Sequence, residues 1–529
     1  MMTLHRRVRR AALAAVLVCG MGVAGCQSGP GHTGADYDGA PIYLTQRPAL
    51  TLNAASLEGA SSDAAVLAAR IYPGAMIAGP GGQMLPNTDL VGAERLPGED
   101  TRIRYTLSEG ATYSDGHPMS CDDYLLAATA AMMPEAFGSV VPVASHIAEI
   151  QCAPDGRTTE VSFEPSYGQR WQQLFGPGTV LPFHTIVARA GMDPAEAREA
   201  LVDGDAERLA PLIDVWRHGF DPTRPDPELQ VSSGPYRLAG VSAQGDLHLA
   251  VNEYYPGDRP HIPDVYLRPG RGDVASPNEA TPVLADLVDK DPSAVSREDS
   301  APPLRINQEV SERTDSLVLA SAGVMEDQEA RRALASCVDS AAVAKASSDV
   351  AGMTVPWVST RVTAPSDPTY GRVGAQVDAE AQGHPEDTEA LQGRTVRVAY
   401  LAPHTRYRAM VEEMARSCAA QGITIEDVSS TKTTMADLVG AHGGEEGFVD
   451  AYLLPVDGAS SYDLEPVEPG HKSSVLRTEQ ELWRSIPTIP LAAEPRNIVA
   501  DHRVGNVVVY TGPAGIGWNM DRWRSVDHS

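Results

Sequence analysis

Residues 105–124, YTLSEGATYSDGHPMSCDDY, predict a strand, two turns and the start of a helix. Two short β-favouring runs, around 102–107 and 111–113, flank a polar turn, and a second turn follows at the letters SDG. Ser120 stands three residues before Asp123 and just ahead of an Ala/Leu-rich run. This spacing is typical of a helix capping box, with Asp in place of the usual Glu. The residues alone therefore predict a strand–turn–strand unit that leads into an N-capped helix.

The same stretch resembles the signature of the family 5 solute-binding proteins of bacterial ABC importers, which bind peptides, dipeptides and nickel. That signature reads roughly L-x-x-G-x-x-F/Y-S/T-D-G-x-P-x-T/S-A-x-D. The residues in register with it are Leu107, Gly110, Tyr113, Ser114, Asp115, Gly116, Pro118, Ser120 and Asp123. As a local pattern the match is strong, and it guides the interpretation of the rest of the chain.

Two further segments resemble the same family. The sequence SGPYRL at 233–238 resembles the family's G-T/S-G-P-Y/F-x-L. Residues 327–344 resemble its D-x-r-v-R-q-A-l-x-x-A-i-D segment through Asp327, Arg331, Ala333, Leu334 and Asp339. Apolar residues recur there at helical spacing, which predicts a helix whose buried face includes Cys337.

The resemblance implies an α/β, two-lobed periplasmic-binding-protein fold with an extra third subdomain and a ligand cleft between the lobes. It places lobe I at 41–70 and 226–270, a small subdomain carrying the signature at 71–225, lobe II at 271–490, and a return to lobe I at 491–529. In the family, hinge closure buries the ligand and presents the closed form to a membrane permease. The length agrees, since 529 residues exceed what one ordinary core organises.

Local patterns add expectations outside the three matches. Alternating residues predict a strand within 42–53, and two strands at 147–152 and 158–163 are expected to form a hairpin. The connection at 269–307 is rich in Pro, Ser, Asp and Ala, and we expect one helix in it, at 281–288.

The N-terminus predicts a lipoprotein signal peptide over 1–25 and a flexible tether over 26–40. Four arginines precede an apolar run that is short for a membrane-spanning helix. The run ends in VAGC, which resembles a lipobox with Cys26 as the site of lipid attachment. An ordinary signal peptidase site with an incidental cysteine is the alternative. A lipid on Cys26 would hold the chain at the outer face of the cytoplasmic membrane, in the cell envelope.

The charge of the chain argues against nucleic-acid binding. The formal net charge is −28, and removal of the signal peptide takes away four arginines and no acidic residue. Such a chain offers no basic surface for a phosphate backbone. A solvated acidic surface on an exported protein, expected to be a monomer, accounts for the composition.

Cysteine usage predicts two disulfides. Cys19 leaves with the signal and Cys26 takes the lipid, so four of the six cysteines remain. An even number in an exported chain favours disulfides, and arithmetic alone leaves three pairings open. The sequence contains no CxxC spacing, so the cysteines do not suggest a zinc site. The family resemblance implies the two local pairings. It packs the hairpin beside the signature helix, which implies Cys121–Cys152. It also packs a later βαβ unit beside the helix of the third match, which implies Cys337–Cys418.

The ligand-binding residues are also inferred from the resemblance. In peptide-binding members, an Asp that follows G-W-x-x-D holds the amino end of the ligand. The corresponding passage here is LPVDG at 454–458, which lacks the Trp, and Asp457 is the nearest candidate. A turn aspartate beside a glycine is the alternative interpretation of Asp457. We expect aromatic walls from Tyr452, Trp357 and Trp518.

Catalytic motifs give no support for an enzyme. The sequence contains neither HExxH nor G-x-S-x-G, and the S-x-x-K match at 429–432 has no S-x-N at a useful distance. We therefore expect no catalytic residues, no cofactor and no metal. The leading hypothesis is a peptide-type substrate-binding lipoprotein with an ABC permease as partner. The alternatives are a non-transport lipoprotein of the same fold, acting in the synthesis of mannosylated envelope glycolipids, and an exported hydrolase as a third.

The lipobox resemblance yields a direct prediction. Metabolic labelling with a fatty-acid analogue should tag the wild type and leave Cys26→Ala unlabelled, because the thiol that carries the lipid is gone. Cys19→Ala is the matched control and should keep the label, since Cys19 lies within the cleaved segment. Equal labelling of wild type and Cys26→Ala would show that Cys26 is not the lipid site.

Overall fold

A computed structural model of the chain describes residues 37, 39–270, 281–290, 292–295, 304–367, 369–382, 388–444, 446–464 and 474–526. The expected signal peptide, the lipidation site Cys26 and most of the expected tether lie outside these residues. Among the described helices, none combines the length and the apolar character needed to cross a bilayer.

The strands are β1 Ile42–Thr45, β2 Met76–Gly79, β3 Gln83–Pro86, β4 Val91–Arg95, β5 Arg102–Leu107, β6 Ile147–Cys152, β7 Thr158–Phe163, β8 Tyr236–Val241, β9 Leu247–Val251, β10 Asp264–Pro269, β11 Val283–Leu287, β12 Leu304–Leu319, β13 Thr395–Ala399, β14 Thr424–Asp427, β15 Ala451–Val456, β16 Thr488–Asp501, β17 Val504–Gly505 and β18 Arg524–Ser525. The α-helices are α1 Leu57–Ser61, α2 Ala64–Ala68, α3 Cys121–Met132, α4 Pro134–Phe137, α5 Phe183–Ala190, α6 Pro194–Asp203, α7 Ala206–His218, α8 Gln328–Cys337, α9 Ser340–Ala351, α10 Tyr370–Gln382, α11 Thr405–Ala419, α12 Gly458–Ser461 and α13 Ser474–Ser485.

One large sheet runs through both lobes. Its strand order is β14-β13-β15-β12-β16-β11-β1-β10-β9-β8. The long strands β12 and β16 lie at its centre and pair antiparallel along most of their length, with a register shift between Val310 and Thr314. On one side of the shift β11 pairs with β16, and on the other β15 pairs with β12. The two strands therefore carry the chain between lobe I, at β11 to β8, and lobe II, at β14 to β15. The expected boundary of lobe II at residue 271 comes too early for this division, because β11 pairs with β1 and lies with lobe I.

Each lobe has its own hydrophobic core. The core of lobe I joins the sheet residues Leu249, Val265 and Leu284 to helices α5 to α7, which contribute Ile186 and Trp216. The core of lobe II joins β13 and β15 to helices α8, α9 and α11. Burial of apolar side chains at about 25 cal/mol per Å² is the main favourable contribution to each core. Two separate cores joined by a pair of strands are the arrangement of a hinged protein.

The signature stretch builds the small subdomain. Strand β5 lies in a four-stranded antiparallel sheet of order β4-β5-β7-β6, and the α3 helix that follows packs against it. The capping box is formed: the Ser120 hydroxyl accepts from the first turn of α3, and an Asp123 Oδ accepts from Ser120 N at 2.8 Å. The second Asp123 oxygen accepts from Phe183 N at 2.8 Å, which ties the signature to α5.

The first two matched segments contact each other. Ser114 N donates to Ser232 O at 2.8 Å, and Ser232 N donates back to the Ser114 hydroxyl at 2.9 Å. Gly234 lies so close to the backbone of Arg70 that a Cβ there would meet its carbonyl oxygen at 2.3 Å. A side chain at this position would push the second matched segment away from residues 70–73, which explains the need for glycine.

Several local expectations are corrected. The helix expected at 281–288 is wrong: the segment is β11, which pairs with β1 on one edge and β16 on the other. All five of its residues are buried, and a short apolar run of this kind does not distinguish a buried strand from a helix. The strand within 42–53 ends at Thr45. Residues 111–113 form no strand, only a bridge between Thr112 and Pro118.

The two disulfides pair Cys121 with Cys152 and Cys337 with Cys418, with Cα–Cα distances of 5.8 and 4.6 Å. The first ties the start of α3 to the end of β6, and the second ties α8 to α11. Each bond thus joins a helix to its packing partner within one subdomain.

Removing both cysteines of either pair by Cys→Ser should lower the free energy of unfolding by about 3.5–4.5 kcal/mol in the chain-entropy model. The loss should be larger for Cys337 and Cys418, whose sequence separation is 81 residues against 31 for the other pair. Urea denaturation measures the difference. Non-reducing peptide mapping of the wild type that finds free thiols or crossed pairing would contradict the assignment.

Candidate functional site

The carboxyl ends of the parallel strands identify the candidate site. In lobe I, β1 and β11 are parallel, and in lobe II, β13 is parallel to β15. Ligands of open α/β sheets bind beyond the carboxyl ends of such strands. The two ends approach each other here, because the Arg406 Nε at the start of α11 donates to Val288 O, just after β11, at 2.6 Å. The candidate site is therefore the crevice between the lobes, and β12 and β16 form its floor.

The floor of the crevice holds a buried ion pair. Arg313 of β12 donates from Nε and Nη2 to the two carboxylate oxygens of Glu494 of β16, both at 2.9 Å. Burial alone would raise the pKa of Glu494, but four guanidinium groups around it lower that pKa to about 2. Two of them, from Arg47 and Arg496, lie 3.4 and 3.6 Å from its oxygens.

Further buried charges continue from this pair. Arg496 also donates to Asp286 of β11, and Arg47 lies 3.4 Å from Asp63. We call the whole group the hinge charge cluster. Its members are four arginines and four carboxylates, each at most 9% exposed: Arg47, Arg313, Arg406, Arg496, Asp63, Asp286, Asp315 and Glu494. The formal charges of the cluster balance, as buried charges must if they are to avoid a large desolvation cost.

Arg406 connects the cluster to lobe II. Its guanidinium pairs with Asp315 and donates to the Ser347 hydroxyl at 3.1 Å, in addition to its bond to Val288. The Tyr407 hydroxyl donates to Asp315 at 2.7 Å. Burial disfavours the charged form of Arg406, but the carboxylate of Asp315 more than offsets it, so that the pKa of Arg406 is raised. Arg406 therefore stays charged and spans both lobes.

His404 lies beside this contact and stays neutral. It accepts from Tyr407 N at 3.3 Å as the N-cap of α11, and its ring stacks on Tyr407 with centroids 3.8 Å apart. Burial, with the charges of Arg406 and Arg47 nearby, places the pKa of His404 well below the usual value for histidine. A neutral imidazole adds no charge to the balanced cluster.

Other polar contacts close the crevice directly. Met435 N of lobe II donates to the Ser61 hydroxyl of lobe I at 2.8 Å. On the side of the small subdomain, Arg170 donates to the carbonyls of Gly458 and Tyr462 in lobe II. The lobes are thus in a closed arrangement, in which the protein supplies its own contacts across the crevice.

Asp457 lies at the carboxyl end of β15 and caps α12. Its carboxylate accepts from Ala459 N at 3.0 Å and from the Ser460 hydroxyl at 2.9 Å. Glu312 of β12 is near enough for Asp457 to affect it: burial, and then the Asp457 charge, raise the pKa of Glu312. Both carboxylates also raise the pKa of Tyr510, although burial is the larger cause. Asp457 is therefore a turn residue that also belongs to an acidic group at the crevice.

The three aromatic candidates lie in different places. Tyr452 is buried where the lobes meet, and its hydroxyl donates to Thr433 O at 3.0 Å. Trp518 belongs to lobe I, and its ring centroid lies 6.3 Å from that of Tyr510, which links it to the acidic group. Trp357 bridges to Ala492 of β16 and is 46% exposed. Trp518 is linked to Asp457 through Tyr510, and Tyr452 lies near Arg47 of the hinge charge cluster.

Sequence analysis missed the hinge charge cluster. One signal was present: Glu494 and Arg496 interrupt the otherwise apolar TIPLAAEPRNIVAD of β16, whose residues are all buried. A buried charge needs a partner, so a glutamate two residues from an arginine in such a run indicates a polar network. Their partners in β12 and β11 are about two hundred residues away in the chain, and no local pattern identifies them.

One group of potential metal ligands occurs within the described residues, formed by Cys121, Asp122 and Cys152. Both sulfurs belong to a disulfide. Metals bind thiolates, so this group is not a metal site while the disulfide is intact.

Comparison with known proteins places the chain in a family. The family model described as bacterial extracellular solute-binding proteins, family 5 Middle, matches residues 93–426. The chain belongs to this family. An uncharacterised lipoprotein of Mycobacterium tuberculosis is 26% identical over 525 residues, which cover 91% of this chain and 92% of the relative.

Two solved structures share the fold. The oligopeptide-binding protein AppA of Bacillus subtilis, in complex with a nonapeptide, has a TM-score of 0.63 at 12% identity and covers 92% of this chain and 99% of its own. The binding protein AgaA of A. tumefaciens, in complex with agropinic acid, has a TM-score of 0.62 at 14% identity and covers 93% and 99%. These likenesses establish the α/β, two-lobed binding-protein fold with its third subdomain and its crevice between the lobes.

Glu494→Gln tests the buried pair. Removing one charge leaves arginines uncompensated in the closed hinge, so the free energy of unfolding at neutral pH should fall by about 3–5 kcal/mol. Because the pKa of Glu494 is depressed on folding, its stabilising contribution is present above the unfolded pKa, near 4.5, and is lost as pH falls towards about 2. As the pH is lowered from the unfolded pKa towards the folded pKa, the free energy of unfolding should therefore fall less in the variant than in the wild type.

Chemical denaturation across this pH range measures both effects. Glu99→Gln, at an exposed position of the small subdomain, is the matched control and should behave as the wild type. An unchanged free energy of unfolding in Glu494→Gln would mean that the pair does not hold the hinge.

Proposed function

We propose that this protein is the lipid-anchored substrate-binding component of an ABC importer. It closes around a short peptide or a similar small polar solute outside the cytoplasmic membrane and delivers it to a permease. The observation that carries the proposal is the crevice: two lobes with separate cores, joined by β12 and β16, face each other at the carboxyl ends of their parallel strands. The role is binding and not catalysis.

Hinge closure explains how such a crevice works. The contacts across it include hydrogen bonds and ion pairs, such as those of Arg406 and Arg170, and an apolar contact in which Leu57 of lobe I packs into the core of lobe II. Polar contacts of this kind exchange with water when the lobes separate, so opening exposes few groups that water cannot satisfy. A ligand that bridges the lobes then adds its own contacts to the closed form and shifts the population towards it.

The pair of carboxylates from Glu312 and Asp457 favours a ligand that carries an ammonium group. Glu312 lies in β12 and Asp457 directly follows β15, and burial near a second carboxylate is unfavourable for Glu312 in its charged form. A cationic group placed between them would relieve this repulsion. The free amino end of a short peptide supplies such a cation. Tyr510 and Trp518 lie beside the carboxylates as an aromatic wall.

A second candidate function is favoured by the filling of the crevice. The hinge charge cluster and the contact of Arg406 with Val288 occupy space that a ligand would otherwise take. A protein of this fold that acts in the synthesis of mannosylated envelope glycolipids would need no transported solute. Permease and ATPase genes beside the gene of this protein would favour import over this role.

Calorimetry with a di- to pentapeptide library tests the peptide assignment on the mature protein. If Asp457 pairs with a ligand ammonium inside the closed crevice, Asp457→Asn should cost about 2–5 kcal/mol, a roughly 30-fold or greater loss of affinity. Asp155→Asn is the matched control, because Asp155 also caps a turn but lies in the exposed β6–β7 hairpin. An unchanged affinity in Asp457→Asn would restrict Asp457 to its turn, and no binding to any peptide would rule out peptides in favour of the glycolipid role.

A further inference from the structure

A small cavity lies beside the hinge charge cluster, where β1 and β11 end. Thr45 and Gln46 line it from the end of β1, Asp286 from β11, and Arg313 and Arg496 from the crossing strands. In the closed arrangement it has room for about one water molecule. The cavity belongs to the edge of lobe I at which ligands of such sheets bind.

Three buried polar atoms around this cavity have no hydrogen-bond partner within the described part of the chain. They are Thr45 Oγ1, Gln46 Oε1 and Arg496 Nη1, on side chains that are 3%, 8% and 2% exposed. Arg496 Nη1 comes within 3.6 Å of a Glu494 oxygen, which is too long for a good hydrogen bond. Buried polar atoms in folded proteins are nearly always satisfied, so these three indicate a polar guest.

The charges around the cavity decide what kind of guest fits. An anion would accept from Arg496 but would meet the carboxylates of Asp63 and Asp286 in the same lining. A cation would be repelled by Arg313 and Arg496. Because the hinge charge cluster is already balanced, either ion would also leave a net buried charge. A hydroxyl carries no charge and both donates and accepts, so it can accept from Arg496 and donate to Gln46.

We propose that this cavity is a subsite for one uncharged hydroxyl group. Water supplies the hydroxyl in the unliganded protein, and the bound solute supplies it on closure; this second half rests on the proposed solute-binding function. A ligand hydroxyl that reproduces the hydrogen bonds of the water displaces it without loss. The ligand therefore presents an uncharged hydroxyl to lobe I, from a sugar or other polyol or from a seryl or threonyl side chain.

A high-resolution crystal structure of the unliganded protein tests the first half without any ligand. One ordered water should lie within hydrogen-bond distance of Thr45 Oγ1 and Arg496 Nη1. Thr45→Val, which keeps the shape of the side chain and removes its hydroxyl, should weaken or lose that water. Thr159→Val, at a position that is also buried but lies in the small subdomain, should keep it. An empty cavity in the wild type, or an ion in place of the water, overturns the proposal.

Binding of matched probes tests the second half on the full-length protein in detergent. Glucose and glucuronate share one ring and differ in charge, and Ala-Ser-Ala differs from Ala-Ala-Ala by one hydroxyl. Glucose should bind about tenfold more tightly than glucuronate, or Ala-Ser-Ala about tenfold more tightly than Ala-Ala-Ala, according to the source of the hydroxyl. Thr45→Val should abolish that difference, and Thr159→Val should retain it.

The opposite outcomes are equally clear. Tighter binding of a charged sugar, equal binding of the two tripeptides without any binding of glucose, or no binding of any probe overturns the ligand half of the proposal. These assays contain no permease, so they separate the subsite from the import role. If the protein binds the hydroxyl probes but supports no uptake in cells, the subsite is supported and the import function is wrong. If it supports uptake but binds none of the hydroxyl probes, import is supported and the subsite is wrong.

Discussion

The bidentate pair of Arg313 with Glu494 is the interaction on which the two-lobed arrangement depends. It joins β12 to β16 next to the register shift, where the sheet passes from one lobe to the other. A one-residue slip between two strands turns every side chain to the opposite face. Here such a slip would leave two buried charges without partners, at a cost comparable to much of the stability of a domain. The pair therefore sets the register of the crossing strands, and each lobe is built outward from that register.

In the proposed function, movement of the lobes would act on the edge of the hinge charge cluster and not on its centre. Arg313, Glu494 and Arg496 all lie on the crossing strands, which belong to both lobes. Arg406 instead belongs to α11 of lobe II and reaches Val288 of lobe I. Opening must break that contact, while the central pair can remain in place. The cluster can in this way stay paired in both states, which allows charges to be buried at a hinge.

The sequence predicted the parts of the fold that rest on local chemistry. The capping box of α3 and the β6–β7 hairpin follow from turns, caps and alternation within a few residues. Strands β12 and β16 were not predicted, because their buried residues include charges that satisfy each other only across the sheet. The helix expected at 281–288 was wrong for a similar reason: β11 is defined by its neighbours on both edges. The candidate site lies among these long-range contacts, so the sequence did not indicate Glu494 or Arg406, and the ligand-binding roles of Asp457 and Trp518 stay predictions.

A ligand for this crevice must compete with contacts that the protein already makes. Its affinity is the difference between the bonds it forms and those it displaces, such as the bond from Arg406 to Val288. An ionic group brought to the balanced cluster would pair with one of the buried charges. The residue that was paired with that charge would then lack a counter-ion. An uncharged polar group can replace water there without disturbing any pair. The acidic group of Glu312 and Asp457 differs, since burial and then the charge of Asp457 disfavour the charged form of Glu312, and a cation would relieve this. Two polar environments thus lie side by side on β12, since Glu312 and Arg313 are adjacent residues, and they favour different chemical groups: an uncharged hydroxyl at the cluster and a cation at the acidic pair.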